Sequence, residues 1–220
     1  EWGSLHPCCL SGSARFFKPA YSIFLINKWL PSIKGAVTKL TKGGSFADIG
    51  CGFGHSTTMI AEQFPQSSIR GIDPHDQSIH EAQKIAEQKN LNNLSYEIAS
   101  AENYSGEYDI ISFFDCLHDM GDPVAAVSYA KTKLKSGGAL MIIEPYADDE
   151  VSENFNIIGQ MYYSFSTIAC VPASKSQKGG MALGAQAGLK KLTNVLNNGG
   201  FSKVEMTYKT ASNMVIEARV

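Results

Sequence analysis

No run of apolar residues in this chain approaches the ~18 that a membrane crossing requires, and no secretory h-region is present. A surplus of one charge is missing too: 19 Lys and Arg stand against 21 Asp and Glu, for a net charge of -2. That balance gives no basic surface for a polyanion, so nucleic acid is not an expected partner. Cysteine is scarce and unpatterned. The five residues Cys8, Cys9, Cys51, Cys116 and Cys170 are odd in number, form no C-x-x-C and have no histidine at zinc spacing. Neither a disulfide framework nor a metal is expected, and a reduced, cytoplasmic setting fits best. Internal repeats and low-complexity tracts are also lacking. What remains, at 220 residues with 44% hydrophobic and 18% charged, is enough for one well-cored α/β domain and too little for two. The chain opens on Glu1 rather than Met, which suggests a processed or truncated form of something longer.

The most informative stretch runs from Ser45 to Thr57, S-F-A-D-I-G-C-G-F-G-H-S-T. A short apolar run carrying Asp48 reads as a strand. Gly50, Cys51, Gly52, Phe53 and Gly54 then read as a tight turn, and Ser56, Thr57 and Thr58 open a helix with Met59, Ile60, Ala61 and Phe64 as its apolar positions. Such a turn lets a small ligand lie against bare backbone at a helix N-terminus. A dinucleotide fingerprint, G-x-G-x-x-G, would require a glycine where His55 stands. The pattern present is D-x-G-x-G-x-G, and a nicotinamide enzyme is disfavoured.

Further strands are expected over Ser67 to Asp73, Leu94 to Ala99, Tyr108 to Asp115 and Ala139 to Glu144. The third of these, Y-D-I-I-S-F-F-D, is too apolar for a one-faced strand and reads as central. Asp73 lies 21 residues past Gly52, where the second strand of a βαβ unit ends beside the first turn. A carboxylate there can accept both hydroxyls of a ribose. Asp76 is expected to cap a helix to about Asn90. Asp122 should cap another that starts at Pro123, buries Leu134 and stops at Gly137-Gly138. Ser202 to Tyr208 and Asn213 to Val220 read as a closing hairpin.

Residues 1 to 15 read as an extended lead-in, followed by a helix with Pro19 in its first turn, an end or kink at Pro31, and a second helix over 32 to 40. These helices either cover a sheet edge or form a lid that brings Phe17 and Tyr21 near a substrate. Between the fifth strand and the last helix, residues 147 to 182 interrupt the pattern. Ser152 to Ile168 reads as a helix apolar over more than half its circumference, to be covered by core or by an apolar ligand, and Pro172 to Gly180 reads as a loop.

The order of these motifs resembles the class I S-adenosylmethionine (SAM) dependent methyltransferases over residues 45 to 220. More narrowly, R-F-F-K-P-A-Y, F-F-D-C-L-H-D-M-G-D-P and L-G-A-Q-A-G resemble a bacterial group in which this domain follows an N-terminal winged-helix domain. The resemblance implies a Rossmann-like three-layer α/β fold. Its seven-stranded, mostly parallel sheet would have an antiparallel last strand, N-terminal cap helices over 1 to 44 and a helical insertion over 147 to 182. It also implies SAM as cofactor and S-adenosylhomocysteine as product, a small, partly apolar acceptor, and compatibility with a homodimer. Asp48, Gly50, Cys51, Gly52, Phe53 and Gly54 would hold the methionine end, and Asp73 and Pro74 the ribose. Ser100 and Ala101 would adjoin the adenine, with Phe114 and Asp115 on the facing edge. His118 is the candidate general base, with Asp119 and Glu144 as orienter or alternate base. Phe17, Tyr21, Tyr146, Met161, Tyr162 and Phe165 are the candidate acceptor pocket. A non-catalytic SAM- or metabolite-sensing domain of a transcriptional regulator is the alternative.

Overall fold

A computed structural model describes residues 2–220; Glu1 lies outside the described residues. Seven strands, β1 (Ser45–Ile49), β2 (Ser68–Asp73), β3 (Leu94–Ile98), β4 (Tyr108–Phe114), β5 (Leu134–Pro145), β6 (Lys203–Lys209) and β7 (Asn213–Arg219), form one sheet in the order β3-β2-β1-β4-β5-β7-β6. β1 to β5 pair in parallel, while β7 runs antiparallel to both neighbours. The order reverses direction between β1 and β4, so the carboxyl ends of these two strands open a crevice.

Apolar side chains on both sheet faces explain the layers. Along β4, Ile111 and Phe113 join one core cluster and Ile110 and Phe114 the other, as the period of two requires. The first cluster is covered by α6 (Pro123–Lys133) and α9 (Gly188–Asn198), through Val127, Leu192 and Leu196. The second is covered by α4 (His55–Gln63) and by N-terminal helices that bring Trp29, Leu30 and Leu40 onto Phe46 and Met141. Next to α4, against β2 and β3, runs α5 (Asp76–Gln88), whose Ile79 and Ala82 are fully buried.

Several local expectations are corrected. The lead-in is helical: a 3₁₀ turn at Trp2–Ser4 is followed by α1 (Pro7–Ala20). Pro19 therefore sits inside a helix, and the chain runs straight on with π winding over Tyr21–Trp29 into α2 (Leu30–Ser32). Proline withholds one helical N–H, and the chain beyond it adopts the wider winding instead of breaking. After α2, Ile33 turns extended, and α3 (Ala36–Thr41) follows a left-handed Gly35. Asp76 is the first residue of α5 and not its cap: His75 holds the cap position, its own N–H donating to Asp73 Oδ1 at 2.9 Å. Asp122 does cap α6, accepting from the Ala125 N–H at 2.9 Å. That helix ends at Lys133, however, and Leu134, Gly137 and Gly138 already belong to β5.

The 147 to 182 segment also differs. It holds a 3₁₀ turn (Val151–Asn154), α7 (Ile157–Phe165), a π-wound turn (Ser166–Cys170) and α8 (Val171–Lys175), with Pro172 tolerated near the start of α8. The apolar helix is not covered all round: Ile157 and Ile168 are 80% and 71% exposed. Its inward side makes a small cluster of Tyr162, Cys170 and Ala185.

Candidate active site

A cavity of about 530 Å³ lies at the carboxyl ends of the central strands, within the size range of small-ligand sites. Its floor is the turn after β1. Gly50 has φ 74°, and a Cβ there would meet Cys116 Sγ at 2.8 Å, so glycine is required both by backbone and by space. Gly52, at φ 51°, has nothing within 4 Å of where a Cβ would point, leaving bare backbone open to a ligand. Cys51 and Phe53 complete this part of the wall, and His55 and Ser56 add the first residues of α4.

Asp73 closes the second side. Its Oδ2 accepts from the Gly52 N–H at 2.9 Å while Oδ1 accepts from His75, which ties the ends of β1 and β2 together. Burial pushes its carboxyl up, and those two N–H donors pull it back toward the charged form. Pro74 and Ser100 line the same side. The Ser100 hydroxyl lies 3.1 Å from Asn103 Oδ1, to which it donates.

The opposite wall is Phe114, Asp115, Cys116, Asp119 and Met120, with Phe17 and Tyr21 arriving from the N-terminal helices. Asp115 has φ 50°, a conformation uncommon outside glycine, and is held from two directions. The Tyr21 hydroxyl donates to its Oδ2 at 2.8 Å and the Asn213 amide to its Oδ1 at 3.2 Å. Burial, then the nearby Glu144, push the Asp115 carboxyl up to about 8.

Behind this wall lies a row of three titratable groups. Glu144, at the end of β5, binds His118 Nδ1 closely, and the other ring nitrogen, Nε2, lies 3.3 Å from Asp119 Oδ1. Burial works against a charged imidazole, but the Asp119 and Glu144 carboxylates outweigh it and hold His118 well above its ordinary value. Only Asp119 of the three reaches the cavity wall.

The structure thus gathers Gly50, Cys51, Gly52, Phe53, Asp73, Pro74, Ser100, Phe114, Asp115, Asp119, Phe17 and Tyr21 around one space. Other expected residues stand elsewhere. Asp48 is fully buried beneath the turn, accepting from the Ser56 and Ser112 hydroxyls, and is a prop for the turn and not part of the wall. Gly54 packs toward Tyr96 and Ala82. Ala101 packs against the core cluster under α6 and α9. Tyr146 turns outward to Asp148, Met161 and Tyr162 belong to the small cluster of α7, and Phe165 packs against Phe16 at 5.4 Å. His75, Cys116, Met120 and Gln177 line the cavity without having been singled out. Position alone could have found His75 and Cys116, each directly after a residue named from its strand end. Gln177 comes from the loop after α8, which no local pattern places.

A family model described as a methyltransferase domain matches residues 40–200 of the chain. The chain belongs to this methyltransferase-domain family. Among curated relatives, the methyltransferase domain is 30% identical over 105 residues to trans-aconitate 2-methyltransferase of Deinococcus radiodurans, covering 48% of this chain and 39% of the relative. It is 26% identical over 129 residues to the ubiquinone biosynthesis O-methyltransferase of Acinetobacter baylyi, covering 56% and 51%. The matched stretch thus spans about half or less of each relative.

Solved structures agree on the class I methyltransferase fold. An O-methyltransferase family protein from Burkholderia thailandensis superposes with a TM-score of 0.70 at 16% identity, over 96% of this chain and 57% of that one. Human N-acetylserotonin methyltransferase, solved with SAM, gives 0.66 at 16% identity, over 96% and 56%. Magnesium protoporphyrin IX methyltransferase from Synechocystis, also with SAM, gives 0.61 at 17%, over 100% and 88%.

Proposed function

We propose that the domain binds SAM in this cavity and transfers its methyl group to a small, partly apolar acceptor. The observation that carries the reading is the convergence, in a methyltransferase-domain chain, of the open Gly52 backbone, the Asp73 carboxylate and the Asp119 carboxylate on one 530 Å³ space. The residues fit the cofactor. The turn after β1 offers bare backbone for the amino-acid end, and Asp73 keeps lone pairs for two ribose hydroxyls while already fixed by two N–H groups. Ser100 stands on the adenine side. Tyr21 and Phe114 offer aromatic faces to a sulfonium, each worth about 0.5 to 2 kcal/mol.

Bound, SAM supplies an electrophilic methyl group that carries its own activation. The chain's task is to hold the acceptor in line, exclude water and remove a proton. Asp119 is the proton acceptor by position, since it alone of the row meets the cavity; His118 and Glu144 lie behind it and orient it. This changes the part given to His118 from base to support. Phe17, Tyr21, Phe114 and Met120 make the acceptor's side apolar. A cytoplasmic setting suits the reading, because all five cysteines are free and no helix among the described residues is long and apolar enough to cross a membrane.

The test is release of S-adenosylhomocysteine in a screen of small hydroxyl- and amine-bearing aromatic acceptors, preceded by calorimetry with SAM. Saturable SAM binding and acceptor-dependent product are expected. Tight NAD binding without SAM binding would overturn the cofactor, and SAM binding with no turnover across the screen would favour the sensing alternative, which nothing in these matches supports.

A further inference from the structure

The row behind the cavity wall contains a fourth group that methyl transfer does not use. Cys170, in the π-wound turn after α7, is buried, and its Sγ lies with His118 and Asp119 in a cluster whose ligand atoms are all within 4.8 Å of one another. Asp119 Oδ1 is shut off from solvent and has no hydrogen-bond partner, on a side chain only 10% exposed. A buried carboxylate oxygen that faces an imidazole nitrogen at 3.3 Å and a thiol, with no well-formed hydrogen bond, is better satisfied when a cation joins the three.

The geometry points to that something: we propose that His118 Nε2, Asp119 Oδ1 and Cys170 Sγ form a binding site for a borderline-soft divalent cation of the zinc type. The 3.3 Å between Nε2 and Oδ1 matches the edge of a tetrahedron whose metal bonds are about 2.0 to 2.1 Å. An edge to a thiolate at about 2.3 Å is near 3.6 Å, inside the observed envelope. Glu144 on His118 Nδ1 fixes the ring with Nε2 turned to the cluster, the carboxylate–histidine pairing that commonly backs a metal-bound imidazole. A sulfur, a nitrogen and one oxygen select zinc or cobalt over magnesium or calcium, which take oxygen. Three protein ligands leave a fourth position open. As the ligand bonds form, the thiol and the imidazole Nε2 release their protons. Metal occupancy and proton acceptance by Asp119 are therefore alternative states of one cluster.

The inference stands apart from methyl transfer, and its test reads metal binding without SAM or acceptor. Chain stripped by a chelator is titrated with cobalt(II). The expected result is saturation at one equivalent, with a thiolate-to-cobalt charge-transfer band and intense visible bands of a four-coordinate ion, both displaced by zinc. Cys170→Ser should lose the charge-transfer band and at least about tenfold in affinity, whereas replacing exposed Cys8 and Cys9 by serine should change neither. In the unaltered chain, zinc should slow the alkylation of Cys170 relative to the chelator-stripped chain under the same mild denaturant, as read by mass spectrometry, a result independent of how the variant folds. Absence of saturable uptake, a band that follows Cys8 and Cys9, or unprotected Cys170 at saturating zinc would each overturn the site.

Discussion

The two sides of the cavity are made by different means. Under β1 and β2 the wall is mostly backbone, a glycine turn with one carboxylate that both braces Gly52 and faces the ligand. Under β4 and β5 it is built from side chains held by distant partners: Tyr21 and Asn213 on Asp115, and Glu144 and Cys170 around His118 and Asp119. The first side is cheap to fold and general, suited to a part of the ligand that never changes. The second buries several ionisable groups, a cost that folding alone does not reward, and is where chemistry and choice of acceptor belong.

The largest effect should therefore come from the side-chain wall. Asp119→Asn is expected to lower kcat by roughly 10²- to 10⁴-fold while SAM affinity stays nearly unchanged. Steady-state rates with calorimetry on the same preparation separate the two; a variant that lost SAM affinity and kept kcat would erase the distinction between the sides. Asp73→Ala should do the reverse. Hydrogen bonds to a charged group are worth about 1.5 to 3 kcal/mol, so SAM affinity should fall roughly 10- to 100-fold with kcat at saturation little altered.

The backbone side was also the legible one. β1 and the turn could be placed from Ser45 to Gly54 because a glycine turn is a local event, and Asp73 followed from the length of one βαβ unit. Sheet order followed with the family resemblance. The other side was legible in residues but not in roles: Asp115, His118, Asp119 and Glu144 were named, yet which of them meets the cavity depends on how β4, β5 and the insertion pack. Cys170 falls between the helix expected to end at Ile168 and the loop expected from Pro172, where no local pattern shows that it reaches His118. Asp48 shows the same limit on the near side, because period two fixes which strand face a residue takes, not whether a serine waits there. Pro19 misled because a π-wound continuation is not written in any local pattern.

Tyr21→Phe sharpens the contrast within the side-chain wall, since it removes one donor from a buried carboxyl and leaves the ring in place. A loss of about 1 to 3 kcal/mol in denaturant unfolding is expected, with melting of the N-terminal helices first by hydrogen exchange. Unchanged stability would mean that Asp115 is held by Asn213 alone.

The last effect concerns the prop beneath the turn, and it is one of pH. Burial raises the Asp48 carboxyl from 3.8 to about 7, against the pull of the Ser56 and Ser112 hydroxyls. Between those values the folded chain keeps a proton that the unfolded chain has given up, so unfolding releases it. The stability this group contributes is complete below about 3.8, declines as pH rises, and is gone above about 7. The slope from this one group cannot exceed about 1.4 kcal/mol per pH unit. Asp48→Asn cannot ionise, and the serine hydroxyls can rotate to accept from its amide. Relative to the parent chain it should therefore gain stability steadily from about pH 5 to about pH 7 and then hold level, read by urea denaturation. Parallel stability curves for the two chains would show that Asp48 stays charged in the fold. The turn would then rest on a buried charge, as the wall does through His118, and the contrast between the two sides would narrow.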